Sequence, residues 1–181
     1  MSSLDHRLSK VSETLDRMHP SGLLYTTYEA RLLDQLDRSR LPQHVAVLAD
    51  GNRRWARLNA PGEPLVAGYE AGADRLREFC TWCDAGGIPI ITLWVLSTDN
   101  LQRAETGELG PLLKVIESLV DSLADNSRWR VQAVGDLDLL PDDMAESLCR
   151  SGRTSAGHVG MHINVAVAYG GRHELRDAFR S

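Results

Sequence analysis

The pattern of apolar residues along this chain predicts an α/β protein, a parallel β-sheet flanked by helices. Two observations and one rule carry that prediction. Short apolar runs of strand length, at 44–49, 88–96, 129–135 and 161–168, alternate with stretches of helical periodicity. Parallel neighbours need a crossover, so alternation of this kind implies helices on both faces of the sheet. The length, 181 residues, suits one domain with a real core and is short for two.

The elements follow in order. Leu4, Leu8, Val11, Leu15 and Met18 share one helical stripe, which His19-Pro20-Ser21-Gly22 breaks. Leu24, Tyr28, Leu32 and Leu36 predict a second helix. The repeat is too short for a coiled coil, so these helices should pack on their own domain or on a sister subunit. Residues 1–40 are therefore read as an N-terminal helical segment and 41–181 as the α/β domain. HVAVLA (44–49) reads as a buried strand. A helix over 68–85 places Ala73, Leu76, Phe79, Cys80 and Cys83 on one face. IPIITLWVL (88–96) is the most apolar run and should be a central strand. Leu109, Leu112, Leu113, Ile116, Leu119, Val120 and Leu123 mark a strongly amphipathic helix. WRVQAVG (129–135) is a strand, and a short helix starts near Pro141, which suits a first turn. MHINVAVA (161–168) is the fourth strand, with a helix beginning at HELRDAFR. The chain stops about two turns into that helix, leaving the growing edge of the sheet to be covered by further chain or by a partner.

Composition excludes several classes. Net charge is −5 and the pI is about 5.7, so a general nucleic-acid binder, which must be basic, is not expected. No signal-peptide core appears and no run approaches 18 apolar residues, so a cytoplasmic protein with at most peripheral membrane contact is expected. Three cysteines make no disulfide framework. Cys80-Thr81-Trp82-Cys83 has redox spacing, but it falls late in a helix rather than at its start, and core packing is the better reading. The histidines, His44 included, show no metal spacing and are read as structural.

Chemistry gathers where strands end. In HVAVLADGNRRWAR, Asp50 follows the first strand, at the carboxyl end where parallel sheets bind ligands. Gly51 permits a close backbone approach or positive φ. Asn52 suits a helix N-cap, and the N–H groups after it would face an anion. Arg53, Arg54 and Arg57 offer forked donors for phosphate oxygens. A carboxylate beside phosphate calls for a cation between them, and Mg²⁺ binds in that way. The other reading is a structural turn with an internal Asp–Arg pair. STDNLQR puts Ser97, Asp99, Asn100 and Arg103 on the same rim, and AYGGRHEL adds Arg172 at a helix start. Either stretch could also be ordinary loop chemistry.

These three stretches, in this order, resemble the cis-prenyltransferases, the family of undecaprenyl diphosphate synthase. HVAVLADGNRRWAR is similar to its His-x-x-x-x-x-Asp-Gly-Asn-x-Arg-Trp-Ala signature, which includes Trp55. Residues 68–103 resemble the second block, with Gly68, Gly72, Gly87-Ile88, Thr92-Leu93 and Ser97 through Arg103 in register. INVAVAYGGRHEL resembles the third. The resemblance implies a prenyltransferase that condenses isopentenyl diphosphate with an allylic diphosphate, forms a Z double bond and works as a homodimer. By the same resemblance Asp50 is a catalytic residue and handles Mg²⁺ and diphosphate. Gly51, Asn52, Arg53 and Arg54 form the cradle, and Asn100 and Arg103 stand near the reacting carbons with Ser97. Tyr69, where many members carry histidine, Trp55, Asp99, which replaces the usual glutamate, and Arg172 are further substrate-binding positions. Leu101 stands where long-chain members have tryptophan, and no arginine occurs near Leu65 where many carry one. With Tyr69, Leu101 is reminiscent of the short-product branch, such as the (2Z,6E)-farnesyl diphosphate synthases. Val95 or Leu96 and bulky residues of the 109–123 helix would then close the tunnel floor. The family's Arg-x-Ser-Gly-Glu-x-Arg-x-Ser block, which holds isopentenyl diphosphate, does not occur in these residues. The expectation is an α/β domain incomplete at its C-terminus. Two alternatives stand beside it: a non-catalytic subunit of a heteromeric prenyltransferase, and a diphosphate-binding domain without transferase chemistry.

Overall fold

The computed structural model describes residues 35–101 and 107–171, together with 28, 31, 32 and 179. The stripe from Leu4 to Met18, the segment after β4 with Arg172, and Arg103 lie outside the described residues. The chain divides into two units, Met1–Leu41 and Pro42–Ser181. In the first, Tyr28, Arg31, Leu32 and Gln35 are helical, and a 3-10 turn follows at Arg38–Arg40. Asp37 caps that turn, its Oδ1 accepting the Ser39 N–H at 3.0 Å. Tyr28, Leu32 and Leu36 are exposed in the single chain.

The second unit is a four-stranded parallel sheet with helices between the strands. Its strands are β1 (His44–Leu48), β2 (Ile90–Trp94), β3 (Arg130–Val134) and β4 (His162–Ala166). Its helices are α1 (Asn52–Asn59), α2 (Val66–Gly86), α3 (Thr98–Leu101), α4 (Leu109–Ala124) and α5 (Asp142–Ser155). The strand order is β1-β2-β4-β3. In register, Val45 faces Ile91 and Ile91 faces Ile163, which also faces Val131.

That order corrects two expectations. β1 is an edge strand, with His44, Ala46 and Leu48 exposed, rather than a fully buried one. β4 inserts between β2 and β3, so it is interior and is not the sheet's growing edge. α5 is also longer than expected, at 14 residues, and Pro141 precedes it as the cap rather than entering its first turn.

The described helices form one row, α2 beside α4 and α4 beside α5. They bury the sheet face that carries Ile91, Leu93, Ile163, Val165 and Val131, all at most 2% exposed. Ile116, Leu119, Val120 and Leu123 of α4 complete that core, as the 3.6-residue pattern requires. Helices were expected on both faces; among the described residues they cover one.

α5 has a separate task. Ser147, Ser151 and Ser155 form a buried stripe at i, i+4, i+8. Ser155 Oγ accepts the Val131 N–H at 3.0 Å and lies 3.2 Å from the Val131 carbonyl oxygen. Those backbone groups point away from β4. The small Ser155 hydroxyl thus satisfies the outward backbone groups of Val131, which would otherwise be left without a partner at this edge of the described sheet. Cys80 and Cys83 pack in the core of α2, and burial pushes the Cys80 thiol up to about 12. Such a thiol is inert at neutral pH, in keeping with packing rather than redox chemistry. No helix among the described residues is long and apolar enough to cross a membrane.

Candidate active site

The carboxyl ends of β1, β2 and β4 lie side by side, because those strands are parallel neighbours. The loops leaving them are tied together. Ala49 N–H donates to the Trp94 carbonyl at 3.0 Å. Thr98 N–H donates to the Tyr169 carbonyl at 3.3 Å, and Tyr169 N–H to the Leu96 carbonyl at 3.1 Å. Ala168, at φ 51°, makes the turn that brings Tyr169 beside Ser97.

At the β1 end, Gly51 takes φ 92° and occupies the N-cap of α1, a position that had been assigned to Asn52. The left-handed backbone explains the exchange, since asparagine adopts it far less readily than glycine. Asp50 Oδ1 accepts the Gly51 N–H at 2.6 Å, which directs the carboxylate across the start of the helix. First-turn N–H groups of α1, from Asn52 onward, have no place in the helix's own ladder. Asn52 turns its side chain toward α2. A Cβ on Gly72 would stand 2.4 Å from Asn52 Oδ1, and one on Gly68 would stand 2.2 Å from the Asn52 carbonyl oxygen. Two bare glycines one helical turn apart therefore let α2 press against the base of the arginine helix.

A cavity of about 650 Å³ opens there. Asp50, Gly51, Asn52, Arg53, Arg54 and Arg57 line its polar end, with Tyr69, Asn100 and Glu108 beside them. Val95, Leu109 and Leu112 supply apolar wall. Among the described residues no ion pair joins Asp50 to any of the three arginines, and no hydrogen bond engages their guanidinium groups. The reading of an internal Asp–Arg pair thus finds no contact here. Three guanidinium groups carried by one short helix, unpaired among the described residues, share this cavity, and an anion with several oxygens is the partner they fit.

Tyr69 donates its hydroxyl hydrogen to Glu108 Oε2 at 3.2 Å. Burial, then the Glu108 carboxylate, pushes the phenol above its ordinary value, while Arg53 pulls it down. The hydroxyl therefore keeps its proton and remains a donor at neutral pH. Ser97 Oγ accepts the Asn100 N–H at 3.2 Å, so its part is to hold the turn that presents Asn100.

The cavity gathers Asp50, Gly51, Asn52, Arg53, Arg54, Tyr69 and Asn100 from the sequence-based set. Trp55 lies on another side of α1, in a groove with Leu48 and Leu58. Asp99 is exposed, and Ser97 stands behind Asn100. Glu108 was missed, and only its position just before an amphipathic helix could have drawn attention to it. Arg57, one turn beyond Arg53 and Arg54 and like them a forked donor, is part of the cavity wall.

Among the described residues no group of three or more His, Cys, Asp or Glu side chains could hold a metal by itself. Asp50 in a cavity of arginines fits a different arrangement, in which Mg²⁺ is shared between one carboxylate and the phosphate oxygens of a ligand.

Comparison with known proteins bears on the family and the fold. The family model for undecaprenyl diphosphate synthase matches residues 48–181. The chain is 47% identical over 158 residues to a (2Z,6E)-farnesyl diphosphate synthase of Thermobifida fusca, covering 87% of this chain and 61% of that protein. It is 46% identical over 159 residues to isoprenyl transferase 1 of Streptomyces avermitilis, covering 88% and 61%. The chain thus spans about three-fifths of the length of these relatives. Its fold matches the crystal structure of a lavandulyl diphosphate synthase from Lavandula x intermedia in complex with dimethylallyl diphosphate. That match has a TM-score of 0.69 and 30% identity over 77% of this chain and 60% of that one.

Proposed function

Because the chain belongs to the undecaprenyl diphosphate synthase family, we propose that it carries the allylic-diphosphate site of a short-chain cis-prenyltransferase. The reaction joins isopentenyl diphosphate to an allylic diphosphate and gives a Z-configured prenyl diphosphate. One observation carries this reading: Asp50 and the guanidinium groups of Arg53, Arg54 and Arg57, unpaired among the described residues, share a cavity that also has an apolar wall. Such a cavity takes a molecule with a multiply charged head and a greasy tail.

The roles follow from placement. The α1 arginines bind the diphosphate and stabilise negative charge as the allylic C–O bond breaks. Asp50 would hold Mg²⁺ jointly with the diphosphate; when bound, the ion supplies the positive charge that lets carboxylate and leaving group face each other. Asn100 presents an amide beside the reacting end, on a turn held by Ser97 Oγ through the Asn100 backbone N–H. Val95, Leu109 and Leu112 receive the prenyl tail and keep water from the allylic carbon. Their bulk sets a short product. Leu96, the other floor residue considered, is buried in the core and does not line the cavity. Arg103 and Arg172, the other two arginines of the sequence-based set, lie outside the described residues. The functional assembly is a homodimer in the cytoplasm.

The test is product analysis. With labelled isopentenyl diphosphate, a short allylic diphosphate primer and Mg²⁺, reverse-phase chromatography should show a short Z-prenyl diphosphate. Polyprenyl products of many units would overturn the chain-length assignment. Tight diphosphate binding with no product would support the binding-domain alternative.

A further inference from the structure

Glu108 presents a difficulty for the reading above. A cavity built to hold an anion carries a second carboxylate that, among the described residues, pairs none of its arginines. Glu108 occupies the N-cap position of α4 yet makes no capping bond to that helix. Its carboxylate instead reaches 39 positions back along the chain and accepts from Tyr69, in the first turn of α2. Tyr69 is also within the electrostatic reach of Arg53. The phenol thus lies between an internal carboxylate and the cationic cradle, with one proton to donate.

We propose that Glu108 is an internal competitor for the cradle's anion. It takes the Tyr69 hydrogen bond before a diphosphate binds, yields it to a phosphate oxygen afterwards, and by its negative charge keeps diphosphate affinity low enough for release. This rests on the diphosphate reading of the cavity and adds a regulation of it: affinity is limited on purpose. Inorganic diphosphate leaves the reaction as a product, and a cradle of several arginines would otherwise retain it. Tyr69 is a positioning donor with two possible acceptors. The phenol's raised pKa agrees with this, since only a protonated hydroxyl can be handed from one acceptor to the other.

The discriminating substitution is E108Q. Glutamine keeps the shape and can still accept from Tyr69, but it removes the charge. A purely structural strap between α2 and α4 predicts no change. The competitor predicts tighter binding of inorganic diphosphate with Mg²⁺, on the order of three- to tenfold by titration calorimetry, with the gain shrinking as salt rises. E108D, which keeps the charge, should stay near wild-type affinity. Y69F should bind several-fold more weakly, since it loses a donor to the anion. In the assayed reaction, product inhibition by inorganic diphosphate should strengthen in E108Q. Equal or weaker binding by a folded E108Q, while wild type binds, overturns the competitor and leaves the site reading intact. If E108Q does not fold, wild-type affinity in Y69F likewise overturns it. Failure of the wild-type protein to bind diphosphate at all overturns both.

Discussion

Replacing Asp50 with alanine is expected to lower the turnover number by about 10²–10³, or about 3–4 kcal/mol in the barrier. The carboxylate stands at the start of α1, held by the Gly51 N–H at 2.6 Å and by no arginine among the described residues. Its removal therefore releases no buried partner charge, and folding stability should change little at this exposed position. That separation makes the variant informative. A structural Asp–Arg turn predicts lost stability and retained chemistry. The diphosphate site predicts the opposite, with the midpoint of thermal unfolding preserved and activity lost. Asp50→Asn, which keeps size and the backbone hydrogen bond, should lose nearly as much. Steady-state rates beside melting curves decide between the two.

Gly68→Ala is expected to damage both stability and activity. A methyl group there would meet the Asn52 carbonyl oxygen at 2.2 Å and Ala56 Cβ at 2.9 Å. The first of these is backbone, so no rotamer change can relieve it, and α1 must move. Alanine is the better helix former by about 0.5–1 kcal/mol. Overpacking of this kind costs typically 1–3 kcal/mol, so the net effect is destabilising. The motion also carries Arg53, Arg54 and Arg57 with it. A displacement of about 1 Å at a positioned group can cost on the order of 10²-fold in rate. Gly86→Ala, in the same helix and with nothing within 4 Å of its Cβ, is the control and should be neutral or slightly stabilising. Denaturant melts and rates on both variants check the contrast.

These two cases also show what could be read from the chain alone. β2, β3 and β4 are legible because each is a bounded apolar run, and α4 because seven apolar positions repeat at helical spacing. The cradle is legible because its groups are close in sequence: Asp50 through Arg54 sit on one turn and Arg57 on the next. What was not legible is tertiary. Nothing local says that β4 inserts between β2 and β3, or that β1 lies at an edge. Gly68 and Gly72 are visible as glycines, but their reason, the surface of α1 pressed against them, is not. Ser147, Ser151 and Ser155 read as an ordinary polar face, yet they are buried: Ser155 meets the backbone of β3 and Ser151 the Asp121 carboxylate of α4 instead of water. Glu108 was overlooked for the same cause: its partner Tyr69 is adjacent only in space.

The central arrangement is a diphosphate shared between the α1 arginines and a cation held at Asp50. A crystal structure with Mg²⁺ and an unreactive allylic thiodiphosphate tests it most directly. The predicted result places phosphate oxygens within hydrogen-bonding distance of Arg53, Arg54 or Arg57, with the cation between them and Asp50 and the tail along Val95, Leu109 and Leu112. An Asp50 carboxylate folded onto those arginines, with the diphosphate bound elsewhere, would contradict it.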